Sequence, residues 1–219
     1  MFDDNGRIAA VAGKCGNYSS FQYNSTTGRI EKVLTSFDNG TNQYVYAWTG
    51  DKITGVTYFV NSRAVLKTVY GYSGNQLKTV KLYENTTSSN NPSDWGDPIS
   101  CSLYTYHTDG RIRHVIPPTQ YRQMVNNGIL DPESAGESVL NSYASAEYEY
   151  LNGRVSRMYK NGRKYAHDFE YAFNYPSGTD LNQWTVRTTV THSDGSKHFY
   201  YFNRIGQWML HKVQEPSNV

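Results

Sequence analysis

Cysteine is scarce in this sequence. Only Cys15 and Cys101 occur, which are too few for a disulfide framework and lack the paired spacing of a metal site. The two thiols could pair in an oxidising compartment. Two separate buried thiols are the simpler interpretation, because free cysteine is among the most buried residue types. Neither alternative provides a metal site with cysteine ligands.

Charge of one sign and long apolar runs are also lacking. The formal net charge is +2, and the charged residues are spread evenly, so no basic stripe exists to neutralise a run of phosphates. This argues against a nucleic-acid partner. No apolar run approaches the ~18 residues of a membrane-spanning helix, and no charged-then-apolar leader follows Met1. We expect a soluble chain that does not span a membrane, or a mature form whose leader has been removed.

Motifs of known chemistry are missing as well. The sequence contains no Gly-x-Ser-x-Gly elbow and no phosphate-cradling glycine motif. His192, Asp194 and His198 cluster at one predicted turn, but a turn does not guarantee convergent metal ligands, so a solvated hairpin end is favoured. Cross-strand charge pairs explain two further polar groups better than acid–base catalysis does: His107, Asp109, Arg111, Arg113 and His114, and Glu147, Glu149, Arg154 and Arg157. We predict no catalytic residue, no metal ligand and no cofactor.

Aromatic residues, by contrast, are abundant. They make up 15% of the chain and include 20 Tyr, while apolar residues reach only 37%. The buried parts of the fold must therefore consist largely of aromatic rings that carry a polar group, such as the tyrosine hydroxyl. Such residues favour β-strands over helical bundles.

An internal repeat is the main signal. Each unit has an aromatic, any residue, a second aromatic, a short polar turn with Gly, then usually Arg and an aliphatic residue. The turn glycines are Gly6, Gly28, Gly50, Gly74, Gly110 and Gly153. A spacing of about 22 residues equals two strands and two turns. Alternation places both aromatics on one face of a strand, and Gly supplies the positive φ of a tight hairpin.

Several return strands contain two aliphatic residues three positions apart. The pairs are Ile30 and Val33, Ile53 and Val56, Leu77 and Val80, and Ile112 and Val115. Strict alternation would send the two members to opposite faces. We predict a β-bulge between them, or a first aliphatic that still belongs to the turn.

The repeat predicts an all-β fold. We expect one domain over residues 1–219, an antiparallel meander of about twelve to fourteen strands. It should be closed or strongly curled into a barrel, because a flat sheet would leave an aggregation-prone edge. Two insertions interrupt it. Residues 84–98 read as an exposed loop, and residues 117–144 contain the two helices, one over 119–126 and one opening at Asp131-Pro132-Glu133.

The Tyr-x-Tyr…Gly-Arg-Ile pattern, as at Tyr104, Tyr106 and Gly110-Arg111-Ile112, resembles the tyrosine-aspartate repeats of bacterial surface and toxin-shell proteins. It is still more similar to Bacteroidetes-type secreted lipoprotein domains of unknown function with a porin-like fold. The second resemblance implies a secreted or cell-envelope location, with a lipid anchor possible on the full-length precursor. Charged residues on both sides of the strands disfavour an outer-membrane barrel.

Trp95 is the best single candidate for a ligand contact. It lies in a polar loop with no strand pattern to bury it, and loops held by a rigid sheet often carry function. The resulting hypothesis is a non-catalytic domain that binds glycan or protein through its loops. The alternatives are a hydrolase-type enzyme with a polar site in the barrel mouth, and a structural repeat segment of a larger surface shell.

Overall fold

The computed structural model describes residues 1–13, 16–38, 40–87, 89, 91, 94–176 and 178–216. Its fifteen antiparallel strands are hydrogen-bonded in sequence order, which confirms the all-β meander with one strand more than the expected range. The strands are β1 Ala10–Ala12, β2 Tyr18–Tyr23, β3 Ile30–Phe37, β4 Gly40–Thr49, β5 Lys52–Val60, β6 Arg63–Ser73, β7 Gln76–Glu84, β8 Ser100–Tyr106, β9 Ile112–Ile116, β10 Ala146–Leu151, β11 Arg154–Lys160, β12 Tyr165–Phe173, β13 Trp184–His192, β14 Lys197–Asn203 and β15 Trp208–Gln214.

The chain divides into two compact units, Met1–Ser102 and Leu103–Val219, and each is described by itself. The expectation of one domain over residues 1–219 stays a prediction. No described helix is long and apolar enough to cross a membrane.

The sheet is not closed into a barrel, which excludes the first of the two expected forms, closed or strongly curled. Strands β1 and β15 are the two ends of the hydrogen-bond order, and no pairing joins them in the described ranges. The outer side of β1 is instead occupied by the segment before it. The amino group of Met1 donates to the Ala10 carbonyl at 3.1 Å, and Phe2 forms a bridge with Ile8. This local cover removes the need to protect the edge of β1 by closure.

The predicted bulges are confirmed. In the β2–β3 hairpin, Gln22 pairs with Lys32 and Tyr23 with Ile30, so Glu31 is the extra residue. The same shift occurs between the members of the other three aliphatic pairs, in the β4–β5, β6–β7 and β8–β9 hairpins. The β10–β11 hairpin repeats it, with Ser156 as the extra residue. Three-residue aliphatic spacing therefore reports a bulge, and not a helix.

Beside three of these bulges, in the β2–β3, β4–β5 and β10–β11 hairpins, a ring of the next hairpin donates a hydrogen bond to a backbone carbonyl. Trp48 Nε1 donates to the Ile30 carbonyl at 2.8 Å, where the regular β3–β4 pairing has already ended at Lys32 and Val45. Tyr72 Oη donates in the same way to the Ile53 carbonyl at 2.9 Å. Two further copies of this contact join Tyr23 to Ile8 and Tyr171 to Val155. In these four units, an aromatic side chain satisfies a carbonyl that would otherwise lack a neighbour-strand donor.

The basic residue after the turn lies over the same ring. The Arg7 guanidinium is 4.3 Å from the centroid of Tyr23, and Lys52 Nζ is 5.3 Å from that of Tyr72. Arg29 lies over Trp48, and Arg154 over Tyr171. The cations of the first three units also donate to the glycine carbonyl of the next turn, from Arg7 to Gly28, from Arg29 to Gly50 and from Lys52 to Gly74. These contacts explain why Gly, a cation and an aliphatic recur together.

Positive φ at the turns is confirmed for all six repeat glycines. The β10–β11 turn is the clearest case, because Asn152 and Gly153 have φ values of 52° and 79°. Two consecutive positive φ angles are the signature of a type I′ hairpin turn.

The insertion at 117–144 contains two helices, α1 Pro118–Asn126 and α2 Glu137–Tyr143. The predicted second helix start is wrong by several residues. Asp131 does cap the segment by accepting from the Glu133 amide, but Pro132–Ser134 is only a single 3-10 turn. Both helices pack on the sheet in a small core of Leu103, Ile116, Met124 and Ala144, each at most 2% exposed.

Two asparagines stabilise turns through their side chains. Asn24 Oδ1 accepts from the amides of Thr26 and Thr27, and Asn85 Oδ1 accepts from Thr87. Both are side chains in turns, and Asn85 is also buried. Cys101 is buried, whereas Cys15 lies outside the described residues, so the two interpretations of the cysteines stay open.

The ring-to-carbonyl bond can be tested with Tyr72→Phe, which removes only the donating hydroxyl. We expect a loss of about 1 kcal/mol in the free energy of unfolding, as is typical of a partly buried hydrogen bond. Tyr70→Phe, on the same strand, is the matched control, because its hydroxyl has no hydrogen bond among the described residues, and it should change stability by less than about 0.5 kcal/mol. Urea unfolding of both variants makes the comparison. Equal effects would show that the hydroxyl of Tyr72 contributes nothing specific.

Candidate functional site

Trp95 is buried, with only 3% of its surface exposed. The expectation that it projects from an exposed loop is therefore wrong. The loop, of which residues 88, 90, 92 and 93 lie outside the described part, is tied together by its own polar groups. Asn85 Nδ2 donates to the Ser89 carbonyl at 2.8 Å, and Ser89 Oγ donates to Asp94 at 2.7 Å. Polar composition alone thus failed to show that the segment folds compactly. A ligand contact by Trp95 stays a prediction that its burial does not favour.

Asp194 stabilises the turn between β13 and β14, where a metal site was considered and a solvated hairpin end was favoured from the sequence. Its carboxylate accepts from both the amide and the hydroxyl of Ser196. These hydrogen bonds, that from the hydroxyl first, lower the pKa of Asp194 below its usual value. In the described part of the chain, no three His, Cys, Asp or Glu side chains are arranged to hold a metal ion.

One buried polar cluster joins residues that the sequence placed in two separate groups. His114 on β9 and Glu147 on β10 are paired across the strands and are 1% and 2% exposed. Arg163, from the turn before β12, binds both oxygens of Glu147 at 2.6 Å. With its amide group turned to suit its partners, Asn141 of α2 donates to Glu147 and to His114 Nε2. His114 Nδ1 lies 2.6 Å from Thr105 Oγ1.

The cluster needs a close approach between the turn and α2. The amide of Gly162 donates to the Ala144 carbonyl at 2.9 Å. A Cβ on Gly162 would lie 2.2 Å from the Ser142 carbonyl oxygen, and φ there is +63°. Only glycine fits both conditions. This position fixes Arg163 at the mouth of the cluster.

The electrostatics of the cluster favour a structural role. Burial raises the pKa of Glu147, but the hydrogen bonds and charge of Arg163 outweigh it, with help from His114 and Arg113, so the net pKa is lowered. Burial lowers the pKa of His114, despite the Asn141 hydrogen bond and the Glu147 charge. The pair is therefore an ionised carboxylate beside a neutral imidazole at neutral pH. Its burial leaves no room for a substrate, so we interpret the cluster as the joint that holds α2 to the sheet.

An open groove of about 500 Å³ lies at the start of β13, beside the first residues of β15. Trp184 and Tyr201 supply two rings, with centroids 5.6 Å apart and planes at 78°. Met209 and Leu210 of β15 form an apolar wall, and both are exposed. The lining is completed by three amide side chains: Asn174, Asn182 and Gln183. We call this the Trp184–Tyr201 groove.

Hydrogen bonds fix the loop that forms one side of the groove. The Asn174 amide donates to the Thr185 carbonyl at 2.9 Å, and its side chain donates to the Trp184 carbonyl at 3.2 Å. Asn203 Nδ2 donates to the Leu181 carbonyl at 3.1 Å from the other side. A bulge at Thr185 separates the pairs Trp184–Asn203 and Val186–Phe202. No pattern in the sequence predicts this arrangement, because it depends on the fold of residues 174–176 and 178–183.

The groove offers unused hydrogen-bonding groups. The side chains of Asn182 and Gln183 are exposed and make no hydrogen bond within the described residues. A second concavity, of about 390 Å³, lies between β11 and β12. There the ring groups are already engaged, because Tyr171 donates to Val155 and Arg154 lies over Tyr171 and Phe173. The Trp184–Tyr201 groove is thus the stronger candidate for a ligand site.

Comparisons with known proteins identify no family. No protein-family model matches the chain, and no curated protein matches it. Among solved structures, TcdB2-TccC3, which carries tyrosine-aspartate-type repeats, is a distant neighbour, with 7% identity over 97% of this chain and a TM-score of 0.32. TarM matches 55% of the chain with 10% identity and a TM-score of 0.24. The chain spans 13% of the first structure and 23% of the second. Likenesses this distant carry no argument about function, and none supports the lipoprotein resemblance.

The joint can be tested with Arg163→Ala, which leaves the Glu147 carboxylate buried with fewer partners. We expect a loss of at least about 2 kcal/mol in the free energy of unfolding, because an uncompensated buried charge is costly. Arg157→Ala is the control, since it breaks an ion pair with Asp168 in which both side chains are more than 40% exposed, and it should cost less than about 1 kcal/mol. Adding Glu147→Gln to Arg163→Ala should recover part of the loss, and urea unfolding measures all three. A loss from Arg163→Ala no larger than the control would contradict the structural role.

Proposed function

We propose that this chain is a non-catalytic binding domain that holds a neutral carbohydrate in the Trp184–Tyr201 groove. One observation carries the proposal. The groove combines two partly exposed aromatic rings with the side-chain amides of Asn182 and Gln183, which have no internal partner among the described residues, and no described Asp, Glu, Lys, Arg or His lines it. Pockets with apolar and aromatic walls and a few placed polar groups are the usual form of small-molecule sites.

The chemistry of the lining suits a sugar ring. One face of a sugar presents C–H groups, which pack on an aromatic face, and its edge carries hydroxyl groups that both donate and accept hydrogen bonds. Trp184 and Tyr201 can take the first role, because an aromatic side chain offers a large apolar face. Asn182 and Gln183 can take the second, because each amide has two donors and one acceptor.

The charge around the groove favours a neutral ligand. Two cations lie beside Tyr201 without lining the groove. The Lys212 ammonium is 5.9 Å from the centroid of Tyr201, and Arg187, which pairs with Tyr201 across the strands, places its guanidinium over Phe199. An exposed ammonium at that distance and a guanidinium turned to another ring are weakly placed to select an anionic ligand. A volume of about 500 Å³ also lies within the range of small-molecule sites.

A structural role in a larger repeat assembly is the second candidate. The exposure of β15 favours it, because all seven residues of that strand are exposed, including Trp208 at 66%. An exposed edge strand is a template for pairing with another chain. A secreted or cell-envelope location suits both candidates and stays an expectation, as do the porin-like lipoprotein relationship and the lipid anchor.

The test is a screen of neutral oligosaccharides, followed by calorimetric titration of the tightest binder. We expect Trp184→Ala to weaken binding at least about tenfold, or about 1.4 kcal/mol, through loss of the stacking face. Gln183→Ala, an exposed change that leaves the sheet intact, should weaken it about threefold to tenfold through a lost hydrogen bond. Leu130→Ala, at a residue 96% exposed and outside the groove, is the control and should bind normally.

Trp95→Ala provides the opposing test. Binding that is lost in a folded Trp95→Ala protein but kept in Trp184→Ala would place the site in the loop at 84–98 and refute the groove. Failure of every neutral oligosaccharide to bind would refute carbohydrate recognition. Concentration-dependent sedimentation would then test whether β15 pairs with another copy.

A further inference from the structure

Histidine is concentrated in one row of this protein. Four of its six histidines lie on four adjacent strands: His167 on β12, His192 on β13, His198 on β14 and His211 on β15. The register places them on one face. His167 pairs directly with His192, and Val190, two residues before His192, pairs with His198. Tyr200, two residues after His198, pairs with His211. We call these four residues the histidine row.

The rings of the row are in contact from end to end. The centroid distances are 4.5 Å from His167 to His192, 4.6 Å from His192 to His198, and 5.0 Å from His198 to His211. His211 Nε2 lies 3.0 Å from His198 Nδ1. At that distance, one nitrogen donates and the other accepts, so at least one of the two rings must be neutral.

The row is not arranged as a metal site. No three of its members, alone or with a described Cys, Asp or Glu, converge on one point. Two ring nitrogens are also buried without a hydrogen-bond partner, His167 Nδ1 and His192 Nε2. A buried nitrogen that gains a proton and a charge without an acceptor pays a large desolvation penalty. The row is thus built to be neutral.

The surroundings offer little compensation for positive charge. Lys160 of β11 faces His167 and His192 and adds a like charge. Asp194 is the one carboxylate acting on both rings, and it is already committed to Ser196. Tyr200 stacks on His211 with centroids 4.6 Å apart and planes within 4°. Its hydroxyl lies 3.5 Å from His198 Nδ1.

Strand β15 depends on this row more than the other strands do. It is hydrogen-bonded to β14 alone, and all seven of its residues are exposed. His211 contributes the side-chain contacts to His198 and Tyr200 that supplement the backbone ladder. The next residues back along β15, Met209 and Leu210, form the apolar wall of the Trp184–Tyr201 groove.

We propose that the histidine row is an acid-sensitive latch, which holds β15 on β14 in neutral solution and releases it when the row takes up protons in mildly acidic solution. Protonation of both His198 and His211 removes the acceptor of their hydrogen bond and places two positive charges in contact. Where the groove binds carbohydrate, which rests on the function proposed above, release of β15 removes one wall and lowers the affinity.

The two half-buried members of the row set the direction of the pH effect on the fold. Burial, followed by the charges of the other histidines and Lys160 and against the charge of Asp194, lowers the pKa of His167 and His192 below the usual value of about 6.5. The unfolded state therefore binds more protons at these two rings than the folded state, so their contribution to stability is complete above about pH 6.5 and falls as the pH drops below that value. For the release of β15, the direction comes from the hydrogen bond between His198 and His211, which requires a neutral ring.

Hydrogen exchange read by mass spectrometry tests the latch on the full chain without ligand. Protection factors, corrected for the intrinsic pH dependence of exchange, are compared at pH 7.5 and 5.5 for β15 and for β4 as an internal reference. We expect protection of β15 to fall at least about tenfold more than that of β4 in the wild type. In His211→Gln, which keeps a hydrogen-bonding group but cannot take up a proton, the excess loss should be less than about threefold.

Two further variants keep the test decisive. His192→Gln removes a charge that faces His198 without touching β15, and it should also reduce the acid loss even if His211→Gln loosens β15 at every pH. His107→Gln changes a histidine outside the row, bonded to the Tyr148 carbonyl, and should behave as the wild type. The same acid loss in wild type, His192→Gln and His211→Gln would overturn the latch, as would no loss in the wild type. Because no ligand is present, these outcomes do not depend on carbohydrate binding.

Discussion

The hydrogen bond from an aromatic ring to the carbonyl beside a bulge is the contact on which the sheet depends. A bulge at the start of each return strand breaks the regular ladder, and pairing with the following strand ends before it reaches that point, as at Ile30. The Ile30 carbonyl would therefore have no hydrogen-bond donor from the neighbouring strand. Trp48, from the next hairpin, fills the gap with both a donor and a ring. At these positions, each hairpin is completed by the one that follows it, through a ring 15 to 19 residues after the carbonyl.

The same contact accounts for residues that look unrelated in sequence. The ring beside the carbonyl exposes one face, and the cation that follows the turn glycine covers it, as Arg7 covers Tyr23. An aromatic with a polar tip is required at this position, because phenylalanine could stack but could not donate. At Tyr23, Tyr72 and Tyr171, tyrosine therefore serves the hydrogen bond as well as burial. The one compact hydrophobic core of the described chain lies instead under α1 and α2, and the Arg163–Glu147 pair secures it.

The sequence predicted what is local and repeated. Glycine at positive φ, the aromatic alternation and the bulges all depend on spacings within about ten residues. Such short spacings are visible in the sequence itself. The burial of Trp95 was missed because its surroundings come from the fold of an irregular loop. The histidine row and the Trp184–Tyr201 groove were missed for a related reason. His167 and His211 are 44 positions apart, and only the register of four strands brings their row together. The signal that could have found it was the concentration of histidines near the C-terminal end.

The histidine row and the groove share one strand but occupy opposite faces. Tyr200 belongs to the face of the row, and Tyr201, its neighbour, belongs to the groove, because side chains alternate along a strand. Leu210 and His211 divide β15 in the same way. A strand with one paired edge and seven exposed residues has few contacts to lose, so a small change in free energy on either face shifts its attachment. In the latch proposed above, the titratable rings lie behind the wall of the groove, so release of β15 is what couples the two faces, without any path through the interior.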